Sequence, residues 1–381
     1  MPLNILYHHR TRSRDGQSVH IDEMIGALRE AGHSVELVEP RRVDALQTSR
    51  GKSVLPKFVY ELLEFGYSGI EFLKLARAIL RNRPDAIYER ANIYMLSGVV
   101  AARTFSLPLL LEVNAPLAEE REKFGGIAIR WLACWTEKAA WRGADCVLPV
   151  TNVLAGYIEH AGVARDRIVV TSNGVDLNQF GAQTKGDVAK LPFTSTGGPI
   201  LGFVGYIRDW HGLPQIVNLL ATDPMLSSTR LVVVGDGPGR AALENRAKEL
   251  GVSDRIHVTG IVARDRVASY IRTFDIALQP EVTAYASPLK LFEYMAEGCA
   301  IIAPDAENIR EVLSNEVDGI LFEPENSAAL AAAVRRLAGD KKLCEQLGAA
   351  AAANITTNNI TWKRNAERVV SIIRRLREPR A

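Results

Sequence analysis

Short apolar runs alternate with amphipathic stretches along most of the chain, which is the pattern of parallel strands joined by helices. In the first half the apolar runs cover residues 4–7, 35–38, 86–90, 109–114, 146–151 and 168–170. An amphipathic helix is predicted over 21–30, with Gly32 placed to end it. The pattern favours an α/β domain of the doubly wound class over residues 1–180.

A second series of strands begins after a polar segment at 181–198 that is rich in glycine and proline. This segment shows little periodicity and is predicted to be a linker. The strands after it cover residues 200–204, 231–234, 256–260, 276–280 and 299–303. They predict a second domain of the same class over 199–358. The remaining segment, 359–381, contains a basic helix that would either pack back on the first domain or lie on the second.

One segment of the second domain combines a polar loop, a helix and a strand in a way that favours anion binding. Ser287 is predicted as the N-cap and Pro288 as the first residue of a helix that Gly298 ends. The preceding strand, 276–280, ends where this loop begins. A helix that starts beyond the carboxyl end of a strand points unpaired N–H groups at an anion.

Two charged residues of this helix strengthen the prediction. Lys290 in the first turn adds a positive charge, and Glu293 lies one turn further on. Because helical side chains lean toward the N-terminus, Glu293 would reach sugar hydroxyls near the same place. The alternative is an ordinary strand–helix–strand crossover with both charges in solvent.

Glycines also follow neighbouring strands of the second domain. Gly205 comes after strand 200–204, and Gly235 comes after strand 231–234, so the backbone at both places would approach a ligand closely. Arg208 is a fixed cation in the first of these loops, and His211 is a conditional one. Both are predicted partners of a diphosphate.

A polar, basic loop follows the first strand of the first domain, where a parallel sheet meets its substrate. It contains Gly16 and is flanked by three histidines, His8, His9 and His20. A single histidine in a loop is a weak signal, and solvation is the expectation for each of the three.

The composition is that of a soluble globular enzyme of 381 residues, with 47% hydrophobic and 24% charged residues. A net charge of +2 without a basic stripe gives no case for nucleic-acid binding. No apolar run approaches the roughly twenty residues that span a membrane, and no signal-peptide pattern is evident, so a cytoplasmic location is expected. The cysteines, which lack metal or disulfide spacing and are expected to be reduced, are Cys134, Cys146, Cys299 and Cys344.

Two helical regions, 51–83 and 121–142, interleave aromatic with basic residues. Such mixtures suit peripheral contact with an anionic membrane, where rings anchor at the surface and cations pair with lipid phosphate. The alternative is an amphipathic helix with its aromatic residues in the core and its bases in water.

Four motifs together make the chain resemble the retaining glycosyltransferases of family 4. They are Ala31–Val35, Asn173–Asp176, Val234–Pro238 and Ser287–Ala303. The resemblance covers nearly the whole chain and implies the GT-B architecture, in which two Rossmann-like doubly wound domains face an interdomain cleft. Three further segments look like a subgroup involved in bacterial surface-polysaccharide assembly, namely 111–117, 203–205 and 210–212.

The resemblance implies a role for each matching residue. Glu293 would hold the donor's ribose, and Arg208 and His211 would neutralise its diphosphate. Backbone atoms at Val262, or at its neighbour Ile261, would meet the base. Gly16 falls in the loop that closes on the donor. The residues implied as catalytic are Arg208, His211, Lys290 and Asn114. Those implied as donor-binding are Gly16, Gly205, Gly235, Val262, Tyr285, Ser287, Pro288, Leu289 and Glu293.

The family more often has Arg where Tyr206 stands and Lys where His211 stands. Two further departures lie near the transferred sugar. Tyr285 stands where the family has a glutamate that touches the donor sugar, and Asn114 stands where many members have a histidine near the anomeric centre. Glu281, earlier in the same loop, is an alternative for the first role.

These observations predict transfer of a sugar from a nucleoside diphosphate sugar, with UDP or GDP as the nucleotide, to a glycan or lipid-linked acceptor. The expected setting is bacterial polysaccharide or glycolipid biosynthesis. No Asp-x-Asp motif stands at a strand end, so neither a metal nor another cofactor is expected. The sequence shows no nucleophile for retention, and the family implies same-face attack in which the leaving phosphate takes the acceptor's proton.

Other functions on the same architecture remain open from the sequence. One is a nucleotide-sugar epimerase or a sugar phosphorylase, and the other is a sugar-nucleotide-binding subunit without turnover. Tyr285 and Asn114 are the residues that favour the inactive subunit. The presence of Arg208, Lys290 and Glu293 favours the transferase.

Overall fold

The computed structural model describes residues 1–11, 16–40, 55–181, 187–193 and 197–378. The chain divides into two compact units. The first contains Met1–Ser172, Tyr285–Ser287 and Trp362–Ala381, and the second contains Asn173–Ala284 and Pro288–Thr361. The first division, after Ser172, falls inside the predicted first domain of 1–180. Parts of the predicted linker, 182–186 and 194–196, lie outside the described residues.

The first unit is built on a five-stranded parallel sheet in which the strands have the order β2-β1-β3-β4-β5. Its strands are β1 (Asn4–His8), β2 (Ser34–Val38), β3 (Ala86–Arg90), β4 (Leu109–Val113) and β5 (Cys146–Pro149). Its helices up to residue 160 are α1 (Gly16–Glu30), α2 (Lys57–Asn82), α3 (Ser97–Phe105), α4 (Leu117–Phe124), α5 (Arg130–Gly143) and α6 (Asn152–His160). Every residue of β3, β4 and β5 is buried, as expected for mainly apolar strands of a parallel sheet. The buried residues include the charged side chains Glu89, Arg90 and Glu112.

Two predictions for the first unit need correction. The run at 168–170 forms only a single bridge, between Val147 and Ile168, and its apolar side chains pack against the core without forming a strand. Helix α1 begins at Gly16 rather than at Ile21. Its first turn is exposed or half-buried, so apolar periodicity gave no sign of it.

The second unit is built on a six-stranded parallel sheet with the order β11-β10-β9-β6-β7-β8. Its strands are β6 (Ile200–Val204), β7 (Arg230–Val234), β8 (Ile256–Val258), β9 (Ile276–Leu278), β10 (Ala300–Pro304) and β11 (Ile320–Phe322). Its helices are α7 (Leu213–Thr222), α8 (Arg240–Glu249), α9 (Arg264–Ile271), α10 (Leu289–Ala296), α11 (Glu307–Arg310), α12 (Ser327–Gly339) and α13 (Lys341–Thr357).

Helix α10 is the helix predicted to bind an anion, and its start lies one residue later than expected. Leu289 is its first residue and Pro288 occupies the N-cap position, so Ser287 is not the cap. Gly298 follows the helix with φ of +73°, the left-handed conformation that glycine adopts readily at a helix end. The strand after it runs from Ala300 to Pro304 rather than over 299–303.

The last helix, α14 (Trp362–Arg377), belongs to the first unit. The ring of Trp362, in α14, lies edge-on to the ring of His20, in α1, with the ring centroids 4.9 Å apart. Asn365 donates a hydrogen bond to the Ser172 carbonyl at 2.8 Å, and Arg368 donates one to the Val170 carbonyl at 2.9 Å. The first unit is therefore assembled from both ends of the chain.

No helix within the described ranges combines the length and the apolar composition that crossing a membrane requires. The four cysteines are free thiols; Cys134 is half-buried and the other three are buried.

Candidate active site

The strand order of the second unit indicates where a ligand binds. From β6 the chain runs outward to β7 and β8, and it then returns to β9 on the other side of β6. From β9 it runs outward to β10 and β11, so the order of the strands reverses between the adjacent strands β6 and β9. In a parallel sheet wound this way, ligands bind in the crevice beyond the carboxyl ends of the two central strands. The loop after β6 and helix α10, which follows β9, therefore form the candidate site.

The loops after β6 and β7 pack tightly against each other at this edge of the sheet. Gly205 donates its N–H to the Val234 carbonyl at 2.9 Å, and Ile207 donates to the Asp236 carbonyl at 2.9 Å. Gly235 has φ of +141°, and a Cβ there would lie 2.1 Å from the Gly205 carbonyl oxygen. Only glycine fits at position 235, since any side chain would collide with backbone.

Lys290 places its ammonium group beside Gly205. Its Nζ lies 3.8 Å from the centroid of the Phe203 ring, which is a cation–π contact. The same nitrogen is 3.3 Å from where a Cβ on Gly205 would stand. Burial lowers the pKa of Lys290 to about 7, and the opposing effect of Glu293 is smaller. A bound diphosphate would favour the charged form again.

His211 shares the Phe203 ring with Lys290. Its ring centroid is 5.2 Å from that of Phe203 and 4.3 Å from that of Trp210. Burial, followed by the charges of Lys290 and Arg208, lowers the pKa of His211 to about 3. Its Nδ1 accepts the Arg208 N–H at 3.3 Å, so the neutral ring carries its proton on Nε2. The expected conditional cation is therefore a neutral hydrogen-bond donor.

Arg208 supplies the fixed positive charge of this loop. Its guanidinium group stacks on the ring of Tyr206, 5.1 Å from the centroid, and the side chain is exposed. Because a guanidinium group stays charged at all physiological pH values, Arg208 remains a cation where His211 does not.

Glu293 is buried one turn further along α10. Its Oε1 accepts a hydrogen bond from Arg264 Nη1 at 2.5 Å, and the Arg264 guanidinium lies 4.7 Å from the centroid of Phe180. A carboxylate accepts several hydrogen bonds, so this pair leaves capacity for ribose hydroxyls. Arg264 was not predicted from the sequence. Its only local signal is its place as the first residue of α9, after the glycine-containing loop that follows β8.

The other predicted donor residues are divided between the two units. Pro288 is the N-cap and Leu289 the first residue of α10, and Val262 packs half-buried against the core of the second unit. Tyr285 and Ser287 belong to the first unit, where the Tyr285 carbonyl accepts a hydrogen bond from Thr151 Oγ1 at 3.0 Å. The Tyr285 side chain is buried in that unit's core, and its role in donor binding stays a prediction.

Glu281, the alternative to Tyr285, lies in the second unit. Its Oε1 accepts a hydrogen bond from Gln215 Nε2 at 3.2 Å. Burial, with a smaller effect of Glu325, raises its pKa. Its contact with the sugar stays a prediction as well.

In the sheet of the first unit the order of the strands reverses between the adjacent strands β1 and β3. At their carboxyl ends His8 Nδ1 lies 2.7 Å from Glu89 Oε2, and His8 Nε2 lies 3.3 Å from Glu71 Oε2. Burial alone would lower the pKa of His8, but the two carboxylates raise it to about 9. The prediction that His8, His9 and His20 are solvated is wrong, because all three are buried.

Asn114 lies just beyond β4 and is one of four polar side chains gathered around Glu112. Glu112 accepts hydrogen bonds from Tyr88 at 2.7 Å, Arg90 at 2.5 Å and Asn114 at 2.5 Å, and His20 Nε2 lies at 2.8 Å. Burial would raise the pKa of Glu112, but His20 and Arg90 hold it well below its usual range. Asn114 was predicted from the sequence and Glu112 was not, because the signal for Glu112 is a single carboxylate inside an otherwise apolar strand.

Gly16 is the exposed first residue of α1. The residues just before it in the predicted closing loop, 12–15, lie outside the described residues. Among the residues that the structure describes, no group of three or more His, Cys, Asp or Glu side chains is arranged to hold a metal ion.

Two models of known sequence families match the chain one after the other. The family described as Glycosyltransferase Family 4 matches residues 14–179. The family described as Glycosyl transferases group 1 matches residues 190–354. Together they cover most of the chain.

Individual proteins agree with these matches. The chain is 27% identical over 328 residues to a D-inositol 3-phosphate glycosyltransferase of Nocardiopsis dassonvillei, covering 81% of this chain and 75% of the relative. It is 25% identical over 334 residues to a GDP-mannose-dependent alpha-mannosyltransferase of Mycolicibacterium smegmatis, covering 84% of each. The solved structure of Anabaena HepE in complex with UDP-glucose has a TM-score of 0.72 over 97% of this chain and 99% of that one. The two sequences are 16% identical, so this similarity is evidence for the fold alone. The chain belongs to the family 4 and group 1 glycosyltransferases and is an enzyme of the GT-B fold.

Proposed function

We propose that this glycosyltransferase moves a sugar from a nucleoside diphosphate sugar to a glycan or lipid-linked acceptor, with retention at the anomeric carbon. The observation that carries the proposal is the position of Lys290 beside Gly205, with Glu293 one turn further along α10. UDP and GDP are the proposed nucleotides. They are supported by the names of a relative that depends on GDP-mannose and of a solved structure that holds UDP-glucose.

The leaving diphosphate is the group that this site would stabilise. As the bond between the anomeric carbon and the phosphate oxygen breaks, negative charge grows on the diphosphate. Lys290 and Arg208 offer positive charge, and neutral His211 offers its Nε2 proton. Groups fixed in place before the reaction lower its barrier because they need little rearrangement. Since these side chains supply the opposing charge, the site would work without a divalent ion.

Retention would follow from attack on the same face that the diphosphate leaves. The acceptor oxygen forms its bond to the anomeric carbon as the phosphate oxygen departs, and the acceptor's proton passes to that phosphate oxygen. No nucleophile from the protein is needed. Asn114, oriented by its hydrogen bond to Glu112, would contact the transferred sugar.

Product analysis with purified protein tests the proposal. Each UDP- and GDP-sugar is offered with a panel of glycan and lipid-linked acceptors, and the anomeric configuration of the product is read by proton NMR. We expect an α-linked product from an α-linked donor and an initial rate that EDTA does not change. A β-linked product contradicts retention, and loss of activity in EDTA that Mg²⁺ restores contradicts metal independence. Donor binding without turnover would favour the binding subunit.

The proposed setting is bacterial polysaccharide or glycolipid biosynthesis in the cytoplasm, at the inner face of the cytoplasmic membrane when the acceptor is lipid-linked. Cell fractionation tests this location. We expect part of the protein in the membrane fraction and its release by high salt. A protein found wholly in the supernatant at low salt would contradict the membrane setting.

A further inference from the structure

The outer face of α2 carries large apolar side chains in solvent. Leu62, Leu73 and Leu80 lie along one line of this helix, and Leu73 and Leu80 expose 66% and 70% of their surface. On the opposite side, Leu75 and Ile79 are buried in the core of the first unit. A helix that is apolar on both sides is expected to have its outer face covered, because exposed apolar patches mark interaction sites.

The exposed apolar surface continues onto α4 and α5, which pack beside the N-terminal half of α2. The rings of Phe65 and Trp135 meet with centroids 6.3 Å apart. Glu61 accepts the N–H groups of Ala128 and Ile129, just before α5, at 2.8 and 2.7 Å. The apolar face consists of Phe58, Leu62, Leu63, Ile70, Leu73, Leu80, Phe124, Trp131 and Trp135.

The two tryptophans of this face are exposed to solvent and do not lie in the core. Trp131 and Trp135 are one turn apart on α5, and they expose 71% and 51% of their surface. The alternative that the aromatic residues of these helices lie in the core is thus wrong for both. Amphipathic rings of this kind settle at the boundary between lipid headgroups and acyl chains.

The charges around the apolar face are mainly positive. The exposed charged residues of α2 are Lys57, Arg77 and Arg81. The glutamates of α2 are turned inward, since Glu61 and Glu71 are buried and Glu64 pairs with Arg121 at 2.6 Å. On α4 and α5 the exposed bases are Lys123, Arg130, Lys138 and Arg142, and the exposed acids are Glu119 and Glu122. One of these acids, Glu122, pairs with Arg130 at 3.0 Å.

We infer that the apolar face docks on a bilayer surface that contains anionic lipid. The leucines would enter the acyl boundary, the tryptophans would lie at headgroup level, and the bases would pair with lipid phosphate. With 26 residues, α2 offers a line of contact about 39 Å long in the plane of the membrane. The inference rests on the membrane setting proposed above but not on the sugar transfer. Flotation can therefore fail while turnover with soluble acceptors is kept, and the reverse.

Vesicle flotation of the full chain tests the inference. We expect the protein to float with vesicles of phosphatidylcholine and phosphatidylglycerol, and to float less with phosphatidylcholine alone or at high salt. Trp131→Ser with Trp135→Ser, and separately Leu73→Ser with Leu80→Ser, should each lower the bound fraction several-fold. The matched control is Met225→Ser with Val317→Ser, two equally exposed apolar residues of the second unit, which should leave the bound fraction unchanged.

Tryptophan fluorescence locates the contact. Lipids with brominated acyl chains quench nearby indole rings, so quenching is expected in the unmodified protein. It should be largely lost in Trp131→Phe with Trp135→Phe, which keeps apolar rings and should still float. The buried Trp141 and Trp362 are not expected to report on lipid.

Three results would overturn the inference. The first is no flotation with anionic vesicles at low salt, and the second is flotation that neither serine pair reduces. The third is a stable dimer, seen by sedimentation velocity, that Leu73→Ser with Leu80→Ser converts to monomer, because the face would then be covered by a second copy. Circular dichroism should show that each variant is folded, as expected for substitutions at exposed positions.

Discussion

Lys290 is a residue of the proposed site whose pKa is lowered by burial. Because burial lowers its pKa to about 7, only part of the unliganded protein carries this charge at neutral pH. A donor diphosphate favours the charged form, so binding should weaken as the pH rises above 7. We expect the Kd for a nucleoside diphosphate sugar to rise by up to about tenfold per pH unit. Isothermal titration calorimetry across this range measures it.

A Lys290→Arg variant is the control for this pH dependence. Its guanidinium group keeps the positive charge, so its donor affinity should not change over the same range. His211, with a pKa of about 3, stays neutral throughout and contributes no slope. An affinity of the unmodified protein that does not depend on pH would contradict contact between Lys290 and the diphosphate.

Glu293 is proposed to hold the ribose of the donor. A hydrogen bond to a charged group contributes about 1.5–3 kcal/mol, so Glu293→Ala should lower kcat/KM on the order of 10- to 100-fold. Glu297→Gln is the matched control, since Glu297 pairs with Arg272 at 3.0 Å just after the same helix. That variant should lose stability but keep kcat/KM. Equal kcat/KM for Glu293→Ala and unmodified enzyme would remove Glu293 from the site.

Glu112 is a structural centre of the first unit as well as the partner of Asn114. Glu112→Ala would leave Arg90 buried without its carboxylate, which costs roughly 3–5 kcal/mol of the free energy of unfolding. Glu112→Gln keeps an acceptor for Tyr88 and should cost less. Urea unfolding of both variants measures this difference, and a Glu112→Ala protein as stable as the unmodified one would refute the assignment.

At the scale of elements, His8 joins β1, β3 and α2 at one point through Glu89 and Glu71. Folding raises the pKa of His8 from 6.5 to about 9, so its contribution to stability is fully present below 6.5 and is lost as the pH rises through 9. We expect the urea midpoint of the unmodified protein to fall over this range relative to His8→Gln, which does not titrate. A difference between the two that stays constant with pH would contradict the charged pairing.

The apolar runs predicted the strands of both sheets because a strand that is buried on both faces of a sheet is apolar along most of its length. The pairing of His8 could not be predicted in this way, since its partners lie 63 and 81 residues away. Glycines and helix signals are local, so the sequence alone could nominate Gly205, Gly235, Lys290 and Glu293, and their roles in donor binding stay predictions. Arg264 and Glu112 were missed because only tertiary contacts define their roles.

At the scale of the whole molecule, each unit has a sheet in which the order of the strands reverses between two adjacent central strands. The residues at the carboxyl ends of these two strands differ between the units. In the first unit the carboxyl ends of these strands meet in the buried pairing of His8 with Glu89. In the second unit the corresponding place is lined by the glycine loops and the start of α10. The described structure thus favours the second unit for the nucleotide.

The most direct test is a crystal structure of the protein with a bound nucleoside diphosphate. The diphosphate should lie within hydrogen-bonding distance of Lys290 Nζ at the N-terminus of α10, with the ribose hydroxyls on Glu293. A nucleotide bound with its diphosphate away from Lys290 and its ribose away from Glu293 would contradict the proposed site.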